Sequence, residues 1–286
     1  MSELPPARRW FRSIAEIAAV VLVVIVAKAA IAEPYYVPSG SMEPTLLVGD
    51  ELLATKFPYG YSSASLPLSL AWPRTERILG ALPQRGDVVV FRHPVNRSQV
   101  WVKRVIGRPG DHVQMRAGRL WINGEVAALK RDGSALTDEG VTAARYIETL
   151  PGGRTHAILK LNGYNAVDDT PDVVVPAGHL FVMGDNRDNS ADSRIATAQG
   201  GVGLLPVADL IGRAEGIVAS WDMKTKEQPI WDLAVRLARR AVLYRRALIV
   251  GRTPSLRSHI VPLALIGPQT ISRWLSTIIE VPTDGS

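Results

Sequence analysis

The chain contains no cysteine among its 286 residues. That absence excludes disulfides, cysteine nucleophiles and cysteine-ligated zinc, and it fits any compartment, an oxidising one included. Histidine is scarce as well. The five present are His93, His112, His156, His179 and His259, and none stands in a recognisable triad context. There is no Gly-x-Ser-x-Gly elbow and no Ser-x-x-Lys, so neither the α/β-hydrolase nor the β-lactamase arrangement of a serine nucleophile is present. No internal repeat occurs. The net charge of +6 and pI of about 9.7 suit an anionic membrane or nucleic acid. Neither an aromatic-interleaved basic pattern nor a helix-turn-helix accompanies them, so no nucleic-acid partner is expected.

Proline and glycine are plentiful, at 20 and 24 residues, and point to strands joined by turns rather than to long helices. A hydrophobic content of 47% is enough for a sizeable core. The length allows one large domain, or a medium one with extensions.

The chain begins with Arg8, Arg9 and Arg12, followed by the mostly apolar stretch 14–32, whose residues 17–27 are unbroken (IAAVVLVVIVA). Two readings fit. One is a transmembrane helix of roughly 20 residues, with Glu16 and Lys28 reaching toward the interfaces. The other is a cleavable signal peptide ending at Ala30-Ile31-Ala32. If the helix is retained, the arginines hold the N-terminus in the cytoplasm, and everything after residue 33 lies across the membrane.

Strands are expected at 35–37, 51–57, 88–91, 100–106, 179–183 and 211–221, with an Asn123-Gly124 hairpin inside Trp121–Val126. Residues 58–83 read as a proline-rich loop with unusual apolar content, either a lipid contact or a lid packed on the domain. Residues 107–180 look like an added β region, and 130–172 carry weak strand signals only. From residue 223 the composition shifts. Residues 230–250 suit a basic amphipathic helix on an anionic membrane surface, or equally a solvated helix docked on the domain. Residues 258–281 are apolar but broken by Pro262 and Pro268.

The chemistry centres on Pro38-Ser39-Gly40-Ser41-Met42-Glu43-Pro44. Prolines on both sides stiffen the segment, and Gly40 permits a tight bend or a close backbone approach. Read alone, this is a Ser/Gly turn between strands. Read as a nucleophile, Ser41 needs a base. On the 100–106 strand, alternation puts Trp101, Lys103 and Val105 on one face and Val102 and Arg104 on the other. A strand lysine is ordinarily solvated. One held among bulky apolar groups loses preference for its charged form and can serve as a base near neutral pH. Lys103 could then take the Ser41 proton. The Ser41 backbone N–H and the Ser39 hydroxyl are placed to receive an oxyanion. The acidic loop 185–194 fails the EF-hand pattern, because Arg187 stands where Asp or Asn is needed and Ser190 replaces the glycine, so no metal is expected. Arg187 and Arg194 are expected to pair with Asp188 or Asp192, and Ser190 to orient a neutral lysine amine.

Four segments occur in order: Ser39-Gly40-Ser41-Met42-x-Pro44-Thr45-Leu46; residues 85–91 (RGDVVVF); Val102-Lys103-Arg104-Val105 with Gly107 and Pro109-Gly110-Asp111; and residues 184–194 (GDNRDNSADSR). Together, over roughly residues 14–222, they resemble the boxes of bacterial type I signal peptidases. The resemblance implies a membrane-anchored serine endopeptidase that removes signal peptides from exported preproteins after small residues, typically Ala-x-Ala. Ser41 matches the family's nucleophile, Lys103 its general base, Ser39 an oxyanion-hole residue and Ser190 the serine that orients the lysine. Asp192 and Arg194 match supporting residues. An extended substrate would pair by β-augmentation with strand edges at Tyr36, Val37 and Pro38 and at Val100, Trp101 and Val102. No cofactor and no obligatory protein partner are implied.

The resulting fold class is mostly β: an antiparallel β catalytic domain with an inserted β region, one N-terminal transmembrane helix and a partly helical C-terminal extension. The boundaries are a cytoplasmic N-terminus at 1–12, the anchor at 13–32, an extracytoplasmic catalytic domain at 33–222 with its insertion at 107–180, and a basic extension at 223–286. The expected location is the inner (cytoplasmic) membrane, single-pass, in contact with lipid. Rival readings are another Ser–Lys maturation peptidase on the same scaffold and a membrane-anchored β binding module without activity. A self-cleaving repressor is a further Ser–Lys peptidase on a similar scaffold, but the N-terminal apolar stretch weighs against it, since a repressor would carry a DNA-binding domain there, and the presence of both dyad residues weighs against the binding module.

Overall fold

The computed structural model describes residues 10, 14, 16–23, 31–66, 73–161, 163 and 165–220. Trp10, Ile14 and residues 16–23 are helical, and their apolar side chains are exposed. Among the described residues no helix is long and apolar enough to cross a membrane. Residues 24–30 of the expected anchor, residues 67–72 of the 58–83 loop and the 223–286 extension lie outside the described residues, and Ala32, expected to end the anchor, instead begins the first strand, paired with Thr55.

Among the described residues fourteen strands follow: β1 (Ala32–Tyr36), β2 (Asp50–Thr55), β3 (Val88–Arg92), β4 (Val100–Gly107), β5 (His112–Arg116), β6 (Arg119–Ile122), β7 (Glu125–Val126), β8 (Ala128–Leu136), β9 (Thr142–Thr149), β10 (Thr155–Lys160), β11 (Val173–Val174), β12 (His179–Met183), β13 (Leu205–Pro206) and β14 (Leu210–Ser220). The main sheet has the order β1-β2-β14-β3-β4-β12-β13, and every pairing in it is antiparallel. Between β4 and β12 the chain builds two smaller sheets, β10-β9-β8 and β11-β5-β6-β7.

β3 is buried on both faces, as its run of valines anticipates. Val88 and Val90 pack with Val37, Met42, Leu46, Leu52 and Ile211. Val89 and Phe91 pack with Val105, Leu180, Val182 and Leu210. A third cluster seats the β5-β6 sheet on the main one through Ile106, Val113, Met115, Leu120, Ile122 and Phe181.

The sheet is bent by β14, whose register slips twice against β2 and once against β3. Each slip adds twist and curvature. Gly212 makes the close approach possible, since a Cβ there would lie 2.3 Å from the Thr55 carbonyl oxygen. Although three strands separate β1 from β4 in the sheet order, both line a single cleft.

The hairpin turn forms at Asn123 and Gly124, both with positive φ. Within the expected added β region, the weak strand signals of 130–172 correspond to three well-formed strands, β8, β9 and β10. β8 is exposed along most of its length, so it shows no alternation of apolar and polar residues. Backbone pairing to β9 forms it instead. The described ends of the 58–83 loop pack on the domain. Arg77 donates to the carbonyls of Tyr59, Gly60 and Leu210, and Arg74 pairs with Asp209.

Candidate active site

Ser41 sits in a short 3₁₀ turn, Gly40–Met42, on the connection from β1 to β2. Met42 and Leu46 drop into the core and fix that connection. Lys103 lies on β4 opposite Val89, and its alternation partners Trp101 and Val105 pack on the cluster containing Val89 and Phe91, as the sequence register predicts. The Lys103 Nζ and Ser41 Oγ atoms are hydrogen-bonded at 2.7 Å. Lys103 is only 3% exposed, and its ammonium position lies 5.4 Å from the centre of the Trp101 ring.

Burial pushes the Lys103 amine down to about 8. The carboxylates of Asp192 and Asp185 pull it back up in part, and Arg194 pushes it down. Burial alone would raise the Asp192 carboxyl. The Arg194 guanidinium and the Gly184 N–H more than offset that and hold it below the usual carboxylate range. Asp192 and Arg194 form a fully buried pair beside the amine, and Arg194 also donates to the Arg187 carbonyl.

Ser39 is exposed at the cleft, its Oγ 3.4 Å from Ser41 Oγ. The cleft measures about 590 Å³. Its walls include Tyr36, Pro38, Val100, Trp101 and Val102, together with Ser39, Ser41 and Lys103. β12 pairs with β4 only from Arg104 onward, so the Val100–Lys103 half of β4 is paired on the β3 side alone. Val37 departs from expectation. Its side chain is in the core, and its N–H and carbonyl are bonded to Asp50 and Gly49, so it offers no edge to a substrate. Its neighbours Tyr36 and Pro38 do reach the cleft.

Ser190 also differs. Its Oγ is buried and has no hydrogen-bond partner, so the expected bond to the Lys103 amine is not made. The hydroxyl crowds Gly184 instead, where a Cβ would sit 2.3 Å from it and 2.4 Å from the Ser41 carbonyl oxygen. Arg187 pairs with Glu148 on β9 rather than with Asp188 or Asp192. The partner comes from the inserted region, and nothing local in the sequence signals it. Arg194 pairs with Asp192 as expected. Asp188 instead receives the Leu161 N–H and faces Lys160.

Sequence reasoning assigned no role to the groups that carry this loop. Arg104 forks onto Asp185, which also accepts from the Thr45 hydroxyl. His156 lies 3.2 Å from Glu148 and 3.9 Å from Asp185. Asn186 donates through its backbone to the Ser41 carbonyl and through its side chain to the Gly40 carbonyl. Arg104, Asp185 and Asn186 lie inside the quoted motifs, so position was the available signal. Glu148 and His156 carried none. Among the described residues no cluster of three or more histidines or carboxylates is arranged to hold a metal.

A hydroxyl bonded to a buried amine, both lining one cleft, is the arrangement of a serine hydrolase. Residues 8–221 match the family model described as signal peptidase, peptidase S26. The signal peptidase I of Rickettsia typhi is 35% identical over 239 residues, covering 77% of this chain and 88% of that protein. That of Rickettsia canadensis is 37% identical over 215 residues, covering 71% and 79%. A crystal structure of a signal peptidase I from Enterococcus faecalis V583 is 27% identical, covers 47% of this chain and 98% of that one, and superposes with a TM-score of 0.29. The chain therefore belongs to the signal peptidase family, peptidase S26, whose members are serine hydrolases that remove signal peptides.

Proposed function

We propose that the chain is a membrane-bound endopeptidase that cleaves preproteins after small residues of the Ala-x-Ala type, with Ser41 as nucleophile and Lys103 as general base. The 2.7 Å contact between the Ser41 hydroxyl and a buried amine carries this reading. Neutral Lys103 takes the Ser41 proton as Oγ attacks the scissile carbonyl carbon. The negative charge passes to the carbonyl oxygen, which the Ser41 backbone N–H and the Ser39 hydroxyl receive. The C–N bond then breaks, and the Lys103 ammonium returns its proton to the leaving amine of the mature protein. Water, deprotonated by the same amine, attacks the acyl-enzyme. The signal peptide leaves with a new carboxylate, and Ser41 recovers its proton. Asp192 and Arg194 fix the surroundings of the amine.

The substrate would lie extended between Tyr36 and Pro38 on one side and Val100–Val102 on the other, extending the sheet at the β4 edge. Val90, Leu52 and Tyr35 make the cleft apolar, which suits small apolar side chains. Residues 13–30 would anchor the chain in the inner membrane with the N-terminus cytoplasmic, the catalytic domain that follows, through residue 222, on the far side and the 107–180 insertion carried on it. Only the short segment 31–38, which includes β1, then separates the anchor from the nucleophile's bend, so the cleft stands close to the lipid surface.

The test is cleavage of a preprotein bearing an Ala-x-Ala site in detergent or liposomes. Wild type is compared with Ser41→Ala, Lys103→Met and His179→Ala. Loss in the first two with retention in the third supports the dyad. Full activity of Lys103→Met removes the proposed base.

A further inference from the structure

Peptide geometry around Ser41 shows how the oxyanion donor is aimed. The Gly40–Ser41 peptide is trans, so the Ser41 N–H points opposite to the Gly40 carbonyl. That carbonyl accepts from the Asn186 side-chain amide at 3.2 Å and from the Glu43 backbone N–H at 3.1 Å. The Asn186 backbone N–H holds the next carbonyl, that of Ser41, at 3.1 Å. One residue thus grips the peptide units on both sides of the nucleophile.

Asn186 is in turn oriented by Glu43. Its amide nitrogen lies 3.4 Å from Glu43 Oε2. The Gly40 carbonyl and the Glu43 carboxylate are both acceptors, so only the NH₂ end of Asn186 can face them. Its Oδ1 is left buried without a hydrogen bond, which is tolerable only if the NH₂ end is well held. Glu43 is 4% exposed, and its other oxygen accepts the Asp138 N–H at 3.0 Å, from the turn between β8 and β9. The carboxyl lies over Gly40, where a Cβ would come within 3.1 Å of it.

We propose that Glu43 and Asn186 are positioning residues that aim the Ser41 N–H into the cleft as an oxyanion donor, and that the β8–β9 turn holds Glu43 for that purpose. This rests on Ser41 being the nucleophile. The role is distinct from the dyad, because neither side chain is bonded to the Ser41 or Lys103 side chain.

The test uses the full chain in detergent with a peptide spanning an Ala-x-Ala site. Two non-hydrolysed probes accompany it. A peptide aldehyde, whose adduct with Ser41 carries the oxyanion, reads the tetrahedral state. The same peptide with a reduced scissile bond reads ground-state binding. One oxyanion donor is worth about 10²–10³ in kcat when deleted, and a misaimed one less. Asn186→Ala and Glu43→Ala should each lower kcat and aldehyde affinity by about tenfold or more, with affinity for the reduced-bond peptide unchanged. Glu43→Gln, whose single carbonyl oxygen can replace only one of the two acceptors, should recover part of that loss. Unchanged aldehyde affinity in both alanine variants overturns the inference. So does an equal weakening of both probes, which would mark a merely structural role. If Asn186→Ala does not fold, the comparison of Glu43→Ala with Glu43→Gln decides alone. Ser41→Ala separates the two levels: if it keeps cleaving, the dyad reading falls and the inference with it. If it is inactive while both alanine variants behave as wild type, only the inference falls.

Discussion

Lys103 is the residue on which activity and stability pull in opposite directions. Only its neutral form can accept the Ser41 proton, so the cleavage rate should rise with pH, with a midpoint near the value of about 8 to which burial lowers it. A pH profile of kcat/KM for wild type checks this, and a midpoint near 10 would show the amine to be solvated. The stability sign is separate. Between the folded value and the ordinary 10.5 the unfolded chain binds more protons, so stability rises with pH across that window. Below about 8 the full cost of burying the ammonium is present, on the order of 3 kcal/mol at 1.36 kcal/mol per unit. Lys103→Met should therefore abolish cleavage and raise Tm at neutral pH, measurable by thermal denaturation. Gly184 is equally constrained, but by space. A methyl group there would meet Ser190 Oγ and the Ser41 carbonyl, and both are inside contact distance. Gly184→Ala should lose at least tenfold in kcat while the protein remains folded, because the displaced atom belongs to the nucleophile's own backbone.

At the scale of elements, the loop 184–194 is held by buried ion pairs to strands outside it. Arg104 on β4 takes Asp185, and Glu148 on β9 takes Arg187. Removing one partner of such a pair leaves an uncompensated buried charge, at a cost of about 3–5 kcal/mol. Arg187→Ala should show that loss by denaturant unfolding. Arg187→Met paired with Glu148→Leu should recover much of it, since a matched apolar pair needs no compensation. The same network sets the acid limit. The carboxyls of Glu148, Asp185 and Asp192 are all held below their ordinary values: burial would raise each, and it is outweighed by Arg187 with His156, by Arg104 with His156 and the Thr45 hydroxyl, and by Arg194 with the Gly184 N–H, respectively. Their stabilisation is fully present above the unfolded carboxylate range and is lost as pH falls through the lowered folded values. Tm should accordingly fall steeply below about pH 4, and a flat acid limb would contradict this.

At the scale of the whole molecule, the main sheet curls so that a bend following β1 and a lysine on β4 meet, and the inserted sheets reach back to brace the bend. Removing residues 1–30 would leave β1 in place while detaching the proposed anchor. The truncated chain should cleave a soluble peptide at a rate near that of the full chain, yet process preproteins in liposomes at least tenfold more slowly. Equal processing of preproteins by both would show that the apolar stretch contributes nothing to substrate encounter.

Sequence alone determined what depends on neighbours in the chain. Alternation along residues 100–106 put Lys103 among apolar groups, the β-branched run marked β3, and Asn123-Gly124 marked a turn, because each follows from local backbone geometry. The order of four motifs identified the family, since residues near one reaction are tied to it by chemistry. What depends on partners far along the chain was decided only by tertiary structure. Glu148 meeting Arg187, Asp138 meeting Glu43, the withdrawal of Val37 into the core and the bare hydroxyl of Ser190 all arise from how the sheets close on one another. The exposed strand β8 belongs with them. Its side chains gain little from burial, so it has no hydrophobic period to read, and it exists because β9 completes its backbone hydrogen bonds.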